Sequence, residues 1–159
     1  MKLIVKKVVN MFLNQMLSKN HIQVNVEAKD WENAIDLGGE ILLNEKLIEL
    51  TYIEAVKKMK KENGPYIVIA PGIALSHARP ENGVNKTSMS LIQLKNPVEF
   101  GHEENDPVKL VFTLATTDNK SHLDSLRQLM GVMTESSDMD ILFTTKDVDK
   151  IVEVINKHS

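Results

Sequence analysis

The chain holds five histidines and no cysteine, so any covalent chemistry falls to an imidazole, hydroxyl or carboxylate rather than to a thiol. His77 stands in PGIALSHARPENG (71–83), just after the apolar run YIVIA (66–70). The proline and glycine punctuation predicts irregular surface backbone at the end of a buried strand, where a rigid sheet offers a side chain to solvent. A histidine of ordinary pKa, about 6.5, is largely neutral near pH 7, and one ring nitrogen then keeps a lone pair able to attack phosphorus. The product would be a nearly doubly negative phosphoramidate, which needs donors close by. Arg79, two residues on, brings a guanidinium fork that matches phosphate oxygens. Taken alone a His-x-Arg triplet is weak, and a surface pair between Arg79 and Glu81 explains it at least as well.

His122 shifts the balance. It falls in the first turn of a helix expected to be capped by Ser121 and to run through Leu123, Leu126, Leu129, Met130 and Met133. A helix start carries free N–H groups and a positive dipole end, which favour an anion and disfavour an imidazolium. A neutral His122 there can donate to a phosphoryl oxygen. If VKLVFTLA (108–115) runs beside YIVIA, both histidines sit beyond one sheet edge, as ligands of open α/β sheets commonly do. The competing explanation is a half-buried histidine that completes the helix start. His21, at a helix end, and His158, near the end of the chain, read as exposed and without a role. His102 with Glu103, Glu104 and Asp106 matches no metal-ligand spacing and reads as an acidic solvated loop. A zinc site from His77, His102 and His122 is conceivable on ligand count alone.

The elements that must position these residues alternate along the chain. Val5, Val8, Val9, Phe12, Leu13 and Met16 recur at helical spacing, predicting a first helix within residues 1–20. Ile22, Val24 and Val26 alternate as a short strand. Asp30 is expected to cap a helix with Trp31, Ala34, Ile35, Leu37, Ile41 and Leu42 inward, in which Gly38 and Gly39 permit close packing. Thr51 and Glu54 suggest a capping box for a helix ending at Asn63-Gly64. YIVIA, 87–94 and 108–115 read as strands. A short helix starting at Ser136 or Ser137 and a last one over 146–157 complete the chain. The pattern predicts one α/β domain spanning 1–159, with a central mixed sheet flanked by helices on both faces.

Composition narrows the function classes. A length of 159 residues suits a single domain, and 42% hydrophobic with only 4% aromatic content makes the core aliphatic. A formal charge of -3 with both signs interspersed gives no positive field for nucleic acid. The opening lysines Lys2, Lys6 and Lys7 sit among apolar residues, but Asn10, Asn14 and Gln15 break the run and no small-residue cleavage site follows. No stretch of about twenty apolar residues could span a bilayer. The expected location is the cytoplasm, without membrane insertion.

The runs YIVIAPGIALSHARPENGV and MSLIQLKNPVEFGHEENDPVKLVFTLATTDNKSHLDSLRQL resemble the mannitol/fructose-type enzyme IIA family of the bacterial sugar phosphotransferase system, and most of all its ascorbate-specific branch. The likeness extends from about Leu17 to the last helix, with two histidine segments in the expected order and at the expected distance. It implies a phosphohistidine at His77, formed by transfer from the phosphocarrier HPr and discharged to a cysteine of enzyme IIB, with the membrane enzyme IIC an indirect partner. It implies His122 as the second catalytic histidine and Arg79 beside the phosphoryl group. Ser76 and Ser121, next to the two histidines in sequence, are further phosphate-binding candidates, and no cofactor or metal is expected. Ascorbate or a related acid sugar is the expected substrate, with a pentitol or another carbohydrate left open. Similar domains also act as phosphorylation-dependent regulatory modules, and a homodimer is left open. Ser76 stands where such proteins commonly have proline, which leaves the loop freer before His77. Its hydroxyl has the option of compensating through a bond to backbone.

Overall fold

Two short apolar segments end up side by side and decide the architecture. The computed structural model describes residues 11–159. In it Ile73–Ser76 (β3) lies parallel to Val108–Ala115 (β5), with Ile73 opposite Leu110 and Ser76 opposite Thr113. This corrects two expectations. The stretch 71–83 holds a strand where only loop was expected, and the neighbour of β5 is β3 rather than YIVIA. YIVIA contributes only Val68–Ala70 (β2), which lies at the sheet edge antiparallel to β3. Pro71 and Gly72 make the turn between them: proline presets its own φ and Gly72 adopts φ 75°. All four residues of β3 are buried, so they show no alternation, and the preceding Pro-Gly pair reads as loop.

The sheet is mixed and five-stranded, in the order β1-β4-β5-β3-β2. Ile22–Val26 (β1) runs parallel to Ser88–Val98 (β4), and β4 runs antiparallel to β5. Strand β4 extends past the expected end at Leu94. Side chains alternate between two cores. Leu75, Met89, Leu91, Leu110, Phe112 and Leu114 face Leu13–Met16 (α1), Asn119–Met133 (α4), Ser136–Thr144 (α5) and Val148–Lys157 (α6). Ala74, Ile92, Leu94, Val111 and Ala115 face Trp31–Asn44 (α2) and Leu50–Asn63 (α3). This is the α/β domain with helices on both faces of a mixed sheet that the patterning predicted.

Helix starts follow the polar caps in part. Asp30 accepts from the Asn33 N–H at 2.8 Å and starts α2, as expected. Helix α3 begins instead at Leu50, behind Glu49. Thr51 therefore lies inside it, and its hydroxyl donates to the Asn82 carbonyl at 2.9 Å, so the Thr51/Glu54 capping box is not formed. Of the first predicted helix, Val5, Val8 and Val9 lie outside the described residues. The helical turn Leu13–Met16 ends before Ser18. Gly38 lets α2 approach the sheet: a Cβ there would stand 2.8 Å from Thr113 Oγ1. No helix among the described residues is long and apolar enough to cross a membrane.

Candidate functional site

His77 follows the C-terminal end of β3, and His122 stands in the first turn of α4, just beyond the C-terminal end of β5. Neighbouring parallel strands end on the same side of a sheet, so the topology delivers both histidines to one place. Their ring centroids are 5.6 Å apart and the planes are tilted by 44°.

The His77 ring is half-buried, and its Nδ1 lies 2.7 Å from the Leu75 carbonyl oxygen. A carbonyl only accepts, so Nδ1 carries the proton and Nε2 keeps the lone pair. Tyr66 adds two contacts. Its hydroxyl donates to the His77 carbonyl at 2.7 Å, and its ring stands edge-on to the imidazole at 5.3 Å and 78°. The buried Tyr52 hydroxyl accepts from the Ala78 N–H at 3.0 Å and donates to the Leu114 carbonyl at 2.5 Å. Burial pushes this phenol up to about 12. His122 is also half-buried. Burial, and after it the neighbouring His77, hold its pKa below the ordinary histidine value, so it is neutral at pH 7 and can donate without carrying charge.

The remaining candidates fall in different places. Arg79 is exposed and forms no ion pair among the described residues. Its backbone N–H donates to Asn82 Oδ1 at 3.0 Å, opening a tight turn over Pro80–Asn82. The guanidinium is therefore available beside the loop rather than spent on Glu81. Ser76 is 1% exposed, on the sheet face that packs against α2 and α3. Its Oγ and that of its register neighbour Thr113 lack partners among the described residues, whereas Ser90, opposite Thr113 on β4, donates to the Gly38 carbonyl at 2.7 Å.

Ser121 is not the cap of α4; Asp118 is. The Asp118 carboxylate accepts the Ser121 N–H at 2.7 Å. Bonds from the Ser121 backbone and then its hydroxyl hold Asp118 below the usual carboxylate range. Both polar groups of Ser121 are thus engaged by Asp118. The reason is positional: an aspartate three residues before Ser121 reaches its N–H from extended backbone, and this sets the helix start earlier than expected.

Two histidines expected to be idle are structural. His21 is 6% exposed. Its Nδ1 lies 2.9 Å from the Met16 carbonyl and 3.0 Å from the Met89 carbonyl, and its Nε2 meets Glu45. His158 Nε2 lies 2.7 Å from the buried Asp138 carboxylate. His102 Nδ1 accepts the Asn105 N–H at 3.1 Å, while Asp106 accepts from Phe100, Gly101 and His102. The acidic stretch is a self-bonded loop, and among the described residues no three His, Asp or Glu side chains gather as metal ligands.

Sequence reasoning passed over Tyr52 and Tyr66. The available signal was scarcity: the chain has only two tyrosines, and a phenol carried inward must find a polar partner. Chemically the arrangement offers a nucleophilic Nε2 of fixed tautomer, a neutral imidazole beside it and an exposed guanidinium two residues along.

The chain is similar to known proteins in sequence and in fold. An ascorbate-specific PTS system EIIA component of Escherichia coli is 34% identical over 149 residues, covering 92% of this chain and 97% of the relative. The solution structure of the mannitol-specific cryptic phosphotransferase enzyme IIA of Escherichia coli superposes with a TM-score of 0.84 at 35% identity, over 92% of this chain and 99% of the other. Enzyme IIAMTL from its complex with phosphorylated enzyme IIBMTL of Escherichia coli superposes with a TM-score of 0.77 at 27% identity, over 87% and 95%. Residues 15–158 match the family profile described as phosphoenolpyruvate-dependent sugar phosphotransferase system, EIIA 2. On fold, sequence and extent together, the chain belongs to that family and is a phosphotransferase component of the EIIA type.

Proposed function

We propose that His77 accepts a phosphoryl group from phospho-HPr on Nε2 and passes it to a cysteine of enzyme IIB, in the cytoplasm, feeding uptake and phosphorylation of ascorbate through a membrane enzyme IIC. The single observation that carries this reading is the bond from His77 Nδ1–H to the Leu75 carbonyl. It leaves Nε2 as the nucleophile and keeps the Nδ1 proton in place throughout. On acceptance the bond from phosphorus to the donor breaks as the Nε2–P bond forms; on discharge that bond breaks as the cysteine S–P bond forms. Neutral His122 donates to a phosphoryl oxygen, and Arg79 supplies the balancing charge from the loop. Support for enzyme IIB as acceptor comes from the complex of a structural neighbour with phosphorylated enzyme IIBMTL. Support for ascorbate comes from relatives, 34% identical, that are ascorbate-specific EIIA components.

The test is incubation with phosphoenolpyruvate, enzyme I and HPr, followed by addition of candidate IIB proteins. The protein is expected to gain acid-labile phosphate and lose it to the IIB partner. A His77→Ala protein that still takes up the same phosphate would overturn the assignment.

A further inference from the structure

We infer that Tyr66 and Tyr52 are positioning residues for His77: their two hydroxyls clamp the single peptide unit that joins His77 to Ala78. The consequence for transfer rests on the phosphocarrier reading above, but the clamp itself is a matter of geometry.

Strand β3 ends at Ser76, and beyond it the sheet no longer offers ladder partners. The next peptide groups are half-buried and still require partners. The His77 carbonyl takes the Tyr66 hydroxyl at 2.7 Å, and the Ala78 N–H gives to the Tyr52 hydroxyl at 3.0 Å. That C=O and that N–H belong to one planar unit, so fixing both ends fixes ψ of His77 and φ of Ala78. The imidazole is held separately through Nδ1 and Leu75, with the Tyr66 ring at its edge. Without the two hydroxyls the backbone after His77 is free to move as a loop, and the Tyr66 ring loses the bond that holds it at the edge of the imidazole, loosening the Nδ1 bond that sets the tautomer.

Tyr52 does more than hold the loop. One phenol has one proton to give, and Tyr52 gives it to the Leu114 carbonyl on β5 at 2.5 Å while accepting from Ala78. Strand β5 leads into α4 and His122. The hydroxyl therefore ties the loop bearing one histidine to the strand bearing the other. The two tyrosines come from elements outside both histidine segments, Tyr52 from α3 and Tyr66 from the turn before β2.

Tyr66→Phe keeps the ring and removes the hydroxyl. Histidine-ring nitrogen NMR on the unphosphorylated protein is expected to show one His77 tautomer, with Nδ1 protonated, in the unsubstituted chain and a mixture in the variant. Transfer from phospho-HPr should slow by about two- to tenfold, the worth of one hydrogen bond, with the fold unchanged by circular dichroism. A spectrum identical to that of the unsubstituted protein would overturn the clamp. The NMR measurement uses no phosphate donor. A tautomer mixture in the variant alongside an unsubstituted protein that takes up no phosphate upholds the clamp and overturns the phosphocarrier reading. Tyr52→Phe leaves Ala78 N–H and Leu114 C=O without a buried partner, and is expected to give the same mixture together with a lower melting temperature.

Discussion

His77 and His122 meet ring to ring, centroids 5.6 Å apart, because the strands they follow are parallel neighbours. The pair is asymmetric. His77 has Nδ1 bonded to the Leu75 backbone, whereas His122 is held neutral by burial and by His77 itself. One ring is thereby suited to attack and the other to donate.

Replacement of His122 by Ala is expected to slow phosphoryl transfer by about 10²-fold, the typical cost of losing one donor aimed at developing charge. Rapid-quench transfer kinetics would measure it, with circular dichroism showing the fold retained. Transfer at the unsubstituted rate would remove His122 from the site.

The same residue links pH to stability. Its folded pKa lies below 6.5, so between the folded and unfolded values the unfolded chain binds more protons. Stability then falls as the pH is lowered from about 6.5, and the loss is complete below the folded value. In urea unfolding across this window, His122→Gln should show a shallower decline than the unsubstituted protein. Equal slopes would show that the imidazole contributes nothing.

Asp138 anchors the end of α6. Its carboxylate meets His158 at 2.7 Å and Lys157 at 3.1 Å, and the bond to His158 is the foremost cause holding its pKa below the ordinary 3.8. A depressed carboxylate contributes stability above its unfolded value and loses it as the pH falls through the folded one. Asp138→Asn should therefore melt at lower temperature at pH 7, with the gap to the unsubstituted protein closing below about pH 4. A gap of constant size down to pH 2 would contradict the ion-pair origin.

Gly38 sets how closely α2 lies on the sheet. An added Cβ would stand 2.8 Å from Thr113 Oγ1, so Gly38→Ala is expected to cost about 1–3 kcal/mol through overpacking. Adding Thr113→Ala removes the obstructing hydroxyl, which has no partner among the described residues, and should recover part of that loss. Urea midpoints of the two single variants and the double variant test this, and simple additivity would show that the two positions do not meet.

Local physics made much of the molecule legible. The Asp30 cap and the inward stripe of α2 follow from side chains that act within a turn or two of their own position. So do strand β5 and the helical spacing of α4. Elsewhere a local rule pointed to the wrong residue. Ser121 has a capping hydroxyl, but the Asp118 carboxylate reaches the Ser121 N–H first. Thr51 and Glu54 have capping-box spacing, but the helix had already begun at Leu50.

The residue types by themselves determined the chemistry open to this chain: no thiol, an imidazole in a loop after an apolar run, a guanidinium two places on and a second imidazole near a helix start. Only the tertiary structure decided which strand carries that loop, since the four residues of β3 are buried by partners remote in sequence and so bear no alternation to read. It also decided that both tyrosines converge on one peptide, and that His21 and His158 are structural anchors. Each of these rests on a hydrogen bond or pairing between groups far apart along the chain, and such contacts leave no period in the sequence from which they could be inferred.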